Sequence, residues 1–218
     1  MEKLLELLRG SIGTPYGRRR VLMTVFGVLI CGFGVSLCRM AGMGVDPFQC
    51  LCGGLYRVIP LSQGTAYIII SALMLIVGLI LKPRLFGLGT FINLFLLGYV
   101  IDGGEQLLLS LFGPAASLGI RIVYLILGLA VLCFSSSLYM TANMGISAYD
   151  FYAICLSDRG VLPFRFMRII TDLICVGTGW ALGYTPGVAT IVCALLMGPV
   201  VSFINDHFSS PFLNRARG

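Results

Sequence analysis

Charge is what this chain has least of. Asp, Glu, Lys and Arg make up 11% of its 218 residues, against 58% apolar residues. A soluble domain carries about 25% charged residues, so the soluble globular classes are excluded. A mean hydropathy of +0.97 points to an integral membrane protein. Histidine is nearly absent as well: His207 stands alone near the C-terminus. Cys50 and Cys52 invite a metal reading, but a zinc site needs about four ligands at defined spacing. No metal and no cofactor are therefore expected. The remaining cysteines, Cys31, Cys38, Cys133, Cys155, Cys175 and Cys193, are scattered through apolar runs, where free thiols act as small hydrophobes. No glycine-rich phosphate loop ending in Lys-Ser/Thr occurs, and no His–carboxylate or Cys–His set. Catalysis is not expected.

What is present is a sequence that nearly repeats itself. Ser36-Leu37-Cys38-Arg39-Met40-Ala41-Gly42-Met43-Gly44-Val45-Asp46-Pro47-Phe48-Gln49 returns 101 residues later as Ser137-Leu138-Tyr139-Met140-Thr141-Ala142-Asn143-Met144-Gly145-Ile146-Ser147-Ala148-Tyr149-Asp150. Arg20 matches Arg121, Gly27 matches Gly128 and Gly78 matches Gly179 at the same offset. Thr90 and Gly98 match Thr190 and Gly198 at an offset of 100. In both copies an apolar run breaks at Met-Gly and restarts at a helix-capping residue. Broken helices at corresponding positions of two halves mark the central site of many membrane transporters.

Six apolar runs, near 21–39, 65–81, 85–101, 122–140, 166–182 and 188–204, approach the ~17–25 residues that a helix needs to cross a bilayer. The segments 46–57 and 147–158 are too short to cross and are expected as re-entrant or broken helices. The expectation is an all-α membrane protein with about six transmembrane helices in two inverted three-helix repeats, each with one short helix. Its parts are a cytoplasmic segment 1–20, a first repeat 21–105, a linker 106–120, a second repeat 121–205 and a cytoplasmic tail 206–218. With six spans, all of the 15 basic residues except Arg39, Arg57 and Arg121 fall on the side of the N-terminus. The positive-inside rule then puts both termini in the cytoplasm. An eight-span path satisfies that rule equally well, and segment length favours six. Arg18-Arg19-Arg20 is read as a topology signal rather than a nucleic-acid contact. The apolar start at 4–8 is interrupted by Glu6 and followed by Arg9, which suits a short surface helix over 1–9 better than a cleavable leader.

The breaks carry the candidate binding residues. Asp46 before Pro47 starts a helix by accepting from free N–H groups, and Ser147 stands in the same place in the second copy. Two exposed helix starts, each partly positive, attract anionic groups of a substrate. Gln49 and Asp150 match three residues further on, where a side chain reaches back to the cap's own N–H. The expected substrate contacts are Gly44, Asp46, Gln49, Asn143, Gly145, Ser147 and Asp150, with Asn93 from the third span. A carboxylate at membrane depth is costly unless it works. Asp150, together with Asp172 and Arg168 one turn apart on the fifth span, is a candidate for proton coupling. Thr90 and Thr190 read as backbone or helix–helix glue, and Asp102 and Glu105 as solvated groups at a span exit.

Gly42-Met43-Gly44-Val45-Asp46-Pro47-Phe48-Gln49, with Gly87-Leu88-Gly89-Thr90-Phe91-Ile92-Asn93 and Gly98-Tyr99-Val100-Ile101-Asp102 downstream, resembles the bacterial YczE/YitT-type membrane proteins over about residues 20–205. The resemblance implies a multi-pass protein of the bacterial inner membrane, with no substrate attached to it. The second copy departs from the pattern at Ala148, where the first has Pro47. The residues point to a secondary transporter of a small polar or anionic metabolite, working by alternating access. The other reading is a non-transporting subunit, capturing substrate for or regulating a larger membrane complex. The expected partners are lipid and a small-molecule substrate, with a homodimer left open and nucleic acid excluded.

Overall fold

The computed structural model describes residues 14–59, 61–115, 117–158, 160 and 164–214. The surface helix expected at 1–9 lies outside them, as do Lys3, Arg9, Arg159, Arg215 and Arg217 of the charge count. Among the described residues the chain has no strands. Its helices are α1 (Pro15–Ala41), α2 (Pro47–Val58), α3 (Gln63–Leu81), α4 (Leu88–Phe112), α5 (Leu118–Ala142), α6 (Asp150–Asp158), α7 (Phe164–Ala181), α8 (Val188–Ile204) and α9 (Ser210–Asn214).

α1 and α5 form the central pair. α1 begins where Thr14 Oγ1 accepts from Gly17 N at 3.0 Å with Pro15 behind it, and α5 begins at the Ser117 cap. They end alike, on left-handed residues: Gly42 (φ 60°) and Asn143 (φ 48°). The two helices run antiparallel. Gly27 of α1 lies against Ser135 and Tyr139 of α5, and Gly128 of α5 against Gly34 and Cys38 of α1. A Cβ on Gly128 would sit 2.6 Å from Cys38 Sγ, so only glycine permits that approach.

Each helix end in this pair is held by an arginine from the start of the other. Arg121 donates to the carbonyls of Ala41 and Gly42, at 2.7 Å each. Arg20 donates to those of Ala142, at 2.6 Å, and Asn143. Carbonyls at a helix C-terminus have no partner in their own helix, and charge-assisted bonds are the strongest replacement. Sequence reading gave Arg20 a topological role alone; it also secures the break of the second half.

α4 and α8 complete the arrangement from below each break. Gly89 N donates to Met144 O at 2.8 Å and Thr90 Oγ1 to Ile146 O at 2.6 Å. In the other half Ala189 N donates to Met43 O at 3.0 Å and Thr190 Oγ1 to Val45 O at 2.6 Å. Each threonine hydroxyl thus donates to the opposite half's break while accepting from the N–H at its own helix start, Gly87 N or Gly187 N, at 3.3 Å.

α1, α3, α4 and α5 are each long and apolar enough to cross a membrane, and the stretch from Val188 to Asn214, bent by 56° at one break, is either a fifth, broken span or a re-entrant loop. The chain is a multi-pass helical membrane protein. α7 has the length but carries Arg165, Arg168 and Asp172. Several boundaries differ from the sequence expectation, three of them with structural consequences. α1 starts at Pro15, ahead of 21, because Thr14 and Pro15 make a strong cap. α4 continues to Phe112, so Asp102 and Glu105 lie inside a helix instead of at a span exit, and the helix takes in the first part of the expected linker. The segment after α8 turns through Asn205–Ser209 into α9, and Leu213 packs in a buried cluster with Met23 and Met144.

α3 and α4 meet through Gly64 and Gly98, where a Cβ on Gly64 would run into the Gly98 carbonyl. Helical propensity alone favours alanine over glycine by ~1 kcal/mol. Gly64→Ala is nevertheless expected to destabilise by about 1–3 kcal/mol, because backbone atoms must move. Gly103→Ala, with open space at its Cβ, should be neutral or stabilising. Thermal melting of both variants in detergent checks the contrast.

Candidate functional site

The two short helices point their N-terminal ends at each other. Asp46 Oδ1 accepts from Phe48 N and Gln49 N, both at 3.1 Å, and Pro47 follows with its ring already set for a helix. In the second copy Ser147 Oγ accepts from Asp150 N at 3.1 Å and donates to Asp150 Oδ2 at 2.8 Å. Without a proline at Ala148 the regular helix starts only at Asp150, later than the expected 147. Between the two starts, Phe48 and Tyr149 stack with centroids 4.9 Å apart. Tyr67 of α3 meets Phe48 edge-on at 5.5 Å and donates its hydroxyl to Asn93 Oδ1 of α4 at 2.6 Å.

An ionic network closes the other side of Tyr149. Its hydroxyl donates to Asp172 Oδ1, and the Arg168 guanidinium lies 4.5 Å from its ring centroid. Arg168 pairs with Asp150 and, through Nε at 3.3 Å, with Asp172. The helical i,i+4 spacing of Arg168 and Asp172 on α7 presets this pair, and α6 brings Asp150 to it. Asp172 is 95% buried, and its carboxylate is acceptable there because two donors hold it. One guanidinium faces two carboxylates, so the ionised trio carries a formal charge of −1.

The sequence-predicted residues divide. Asp46, Ser147, Asp150, Arg168 and Asp172 gather around the Phe48–Tyr149 junction, and Asn93 reaches it through Tyr67. Gly44 (φ 95°) and Gly145 (φ 117°) instead pack against the starts of α8 and α4, where a Cβ would lie 2.7 Å from Gly187 Cα or 2.6 Å from Thr90 Oγ1. Asn143 is exposed at the end of α5, under Arg20. Gln49 does not reach back to the cap. It is turned into the protein beside Gln63, and its Oε1 is buried with no hydrogen-bond partner among the described residues. Asp102 and Glu105 are not merely solvated: Arg39 lies 2.6 Å from Glu105 and 3.9 Å from Asp102, which also accepts from Gly64 N at 3.0 Å. Arg39 offsets one of the two negative charges, and the N–H of Gly64 and the hydroxyl of Ser62 give Asp102 further donors.

Sequence reasoning missed Phe48, Tyr67 and Tyr149. A signal for two of them was present, since Phe48 and Tyr149 are 101 residues apart and match in the repeat. Elsewhere, a groove between α5 and α8 is lined by Leu129, Leu132, Cys133, Val192 and Cys193 and offers no polar side chain.

The Asp46-Pro47-Phe48 start, the threonine clamps and the Arg168 network all fall between residues 18 and 206, the stretch matched by one family profile. The chain belongs to DUF6198, a family of unknown function. Among its relatives, an uncharacterized protein of Haemophilus influenzae is 25% identical over 185 residues, covering 85% of this chain and 83% of its own. The uncharacterized membrane protein YczE of Bacillus subtilis is 25% identical over 178 residues, 81% of each chain. YyaS of the same organism is 26% identical over 200 residues, covering 88% of this chain and 94% of its own. The resemblance read from the Gly42–Gln49 motif is thus correct for YczE-type proteins. No solved structure matches this DUF6198 chain.

Tyr149 joins the aromatic stack to the ions, so its hydroxyl can be tested apart from its ring. Tyr149→Phe is expected to cost about 1.5–3 kcal/mol, the usual loss for a bond to a charged group. Denaturant unfolding in micelles measures it, with Tyr152→Phe, whose hydroxyl donates to the Met74 carbonyl at 3.2 Å, as the milder comparison.

Proposed function

We propose that this chain is a secondary transporter of the inner membrane, built as two inverted three-span repeats with both termini in the cytoplasm. The observation that carries the reading is the junction of Phe48 and Tyr149. Two short helices at repeat-related positions meet end to end there, beside a buried ion network. The reciprocal clamps support it, since each half secures the break of the other. A rocking motion of one half against the other would expose that junction to each side in turn.

Helix starts favour anions, but here Asp46 already caps one start and Ser147 the other, with the Asp150 carboxylate in the same first turn. A small polar metabolite that exchanges hydrogen bonds with Asn93, Tyr67, Ser147 and Asp150 therefore fits better than an anion. Asp150 and Asp172, sharing Arg168, are the proposed coupling groups: protonating one carboxylate releases part of the guanidinium's bonding. The alternative, a non-transporting subunit, draws on one feature of the same network, that its charges are satisfied within the chain.

Metabolites that accumulate differently in cells with and without the chain supply candidate substrates. Counterflow of such a compound into liposomes containing this protein alone is the expected result. Asp150→Asn is expected to slow it by about tenfold or more, the worth of one charge-assisted bond. Unchanged counterflow in that variant removes Asp150 from the site. Binding of the compound with no flux in the parent protein refutes transport and leaves the subunit reading.

A further inference from the structure

Each short helix is fastened at its far end to a long one. Arg57, in the last turn of α2, donates through NH1 to the Gly183 carbonyl just beyond α7 at 2.6 Å, and its guanidinium lies 5.9 Å from the Tyr184 ring centroid. Asp158, the last residue of α6, pairs with Lys82 just beyond α3 at 3.0 Å. Arg57 and Asp158 are 101 residues apart, and so are Lys82 and Gly183, the offset of the whole repeat. The two fastenings therefore occupy corresponding places in the two halves, although their chemistry differs.

They stand at opposite ends of the bundle. Only residues 59–62 separate α2 from the start of α3, which is tied through Asp102 to Arg39 at the end of α1. Lys82 lies at the other end of α3, the end where Arg20 begins α1 and α5 finishes. The seams beneath the fastenings are made by glycine. A Cβ on Gly54 of α2 would lie 2.9 Å from Gly179 of α7, and one on Gly78 of α3 would lie 3.3 Å from the Phe151 ring of α6. Gly78 and Gly179 are again 101 apart. The Gly54 seam meets backbone at Gly179, whereas Gly78 receives the Phe86 and Phe151 rings, which pack together with centroids 5.0 Å apart.

We propose that Arg57–Gly183 and Lys82–Asp158 are a matched pair of latches that release alternately, each opening the Phe48–Tyr149 junction toward its own end of the bundle. Both are closed in this structure. Both are solvent-exposed, and Lys82 and Asp158 have 38% and 53% of their side-chain surfaces accessible. Exposed pairs of this kind are weak, which suits contacts that must break in every cycle. The purpose of the latches rests on the transporter reading above, but their existence is measured without transport.

Cys175 is the native reporter, buried in the same core as Phe48, Cys52 and Tyr149. Its labelling by a membrane-impermeant maleimide is followed by peptide mass spectrometry, in right-side-out and in inside-out vesicles bearing the full chain. Arg57→Ala is expected to raise labelling in one vesicle orientation and Lys82→Ala in the other, each by roughly two- to fivefold, the factor an exposed ion pair is worth. The reversed pair Lys82→Asp with Asp158→Lys should return labelling to the parent level. Equal labelling from both sides in each variant, or no change in either, overturns the proposal. Opposed labelling without counterflow would keep the latches and remove the transporter reading. Counterflow with unopposed labelling would do the reverse.

Discussion

In a hydrocarbon environment every backbone carbonyl needs a partner from the protein itself. This chain interrupts two helices in its interior, and each interruption frees carbonyls that no helix can satisfy. The solution is reciprocal. In the first break, the carbonyls of Ala41 and Gly42 go to Arg121, that of Met43 to Ala189 N and that of Val45 to Thr190. In the second, those of Ala142 and Asn143 go to Arg20, that of Met144 to Gly89 N and that of Ile146 to Thr90. Each half is incomplete without the other, and the order of the rest follows from that dependence.

Because the breaks are secured from outside, the short helices after them are free to present their starts to one another. Asp46 and Ser147 cap those starts locally, and the aromatic rings of Phe48 and Tyr149 fill the space where they meet. The ions stand to one side, where α7 supplies Arg168 and Asp172 at a helical spacing and α6 adds Asp150. The halves are related without being identical. Pro47 has no equivalent in the second copy, α6 is shorter than α2, and the acid at Asp150 stands where the first copy has Gln49.

Much of this was legible from local pattern. The apolar runs, the Met-Gly breaks, the Asp46-Pro47 start and the Arg168–Asp172 spacing are all short-range features, and each returns in the fold. The less legible parts depend on partners far along the chain. Arg20 reaches a carbonyl 122 positions away, and Thr190 one 145 positions away. Gln49 looked like a reach-back cap by spacing alone, but burial beside α3 turned it elsewhere. Asp102 and Glu105 looked solvated because Arg39, which pairs with them, belongs to another helix.

Taken alone, the amino-acid order determined the membrane character, the helix positions and the existence of two related halves. Those follow from hydropathy, capping and repetition, which act over a few residues or over one constant offset. Only the tertiary structure decided which break each arginine and threonine serves, that Phe48 meets Tyr149, and that Arg168 is shared by two acids. These choices depend on how the antiparallel α1 and α5 and the helices around them pack, and packing at glycine seams brings together atoms that no spacing in the chain relates.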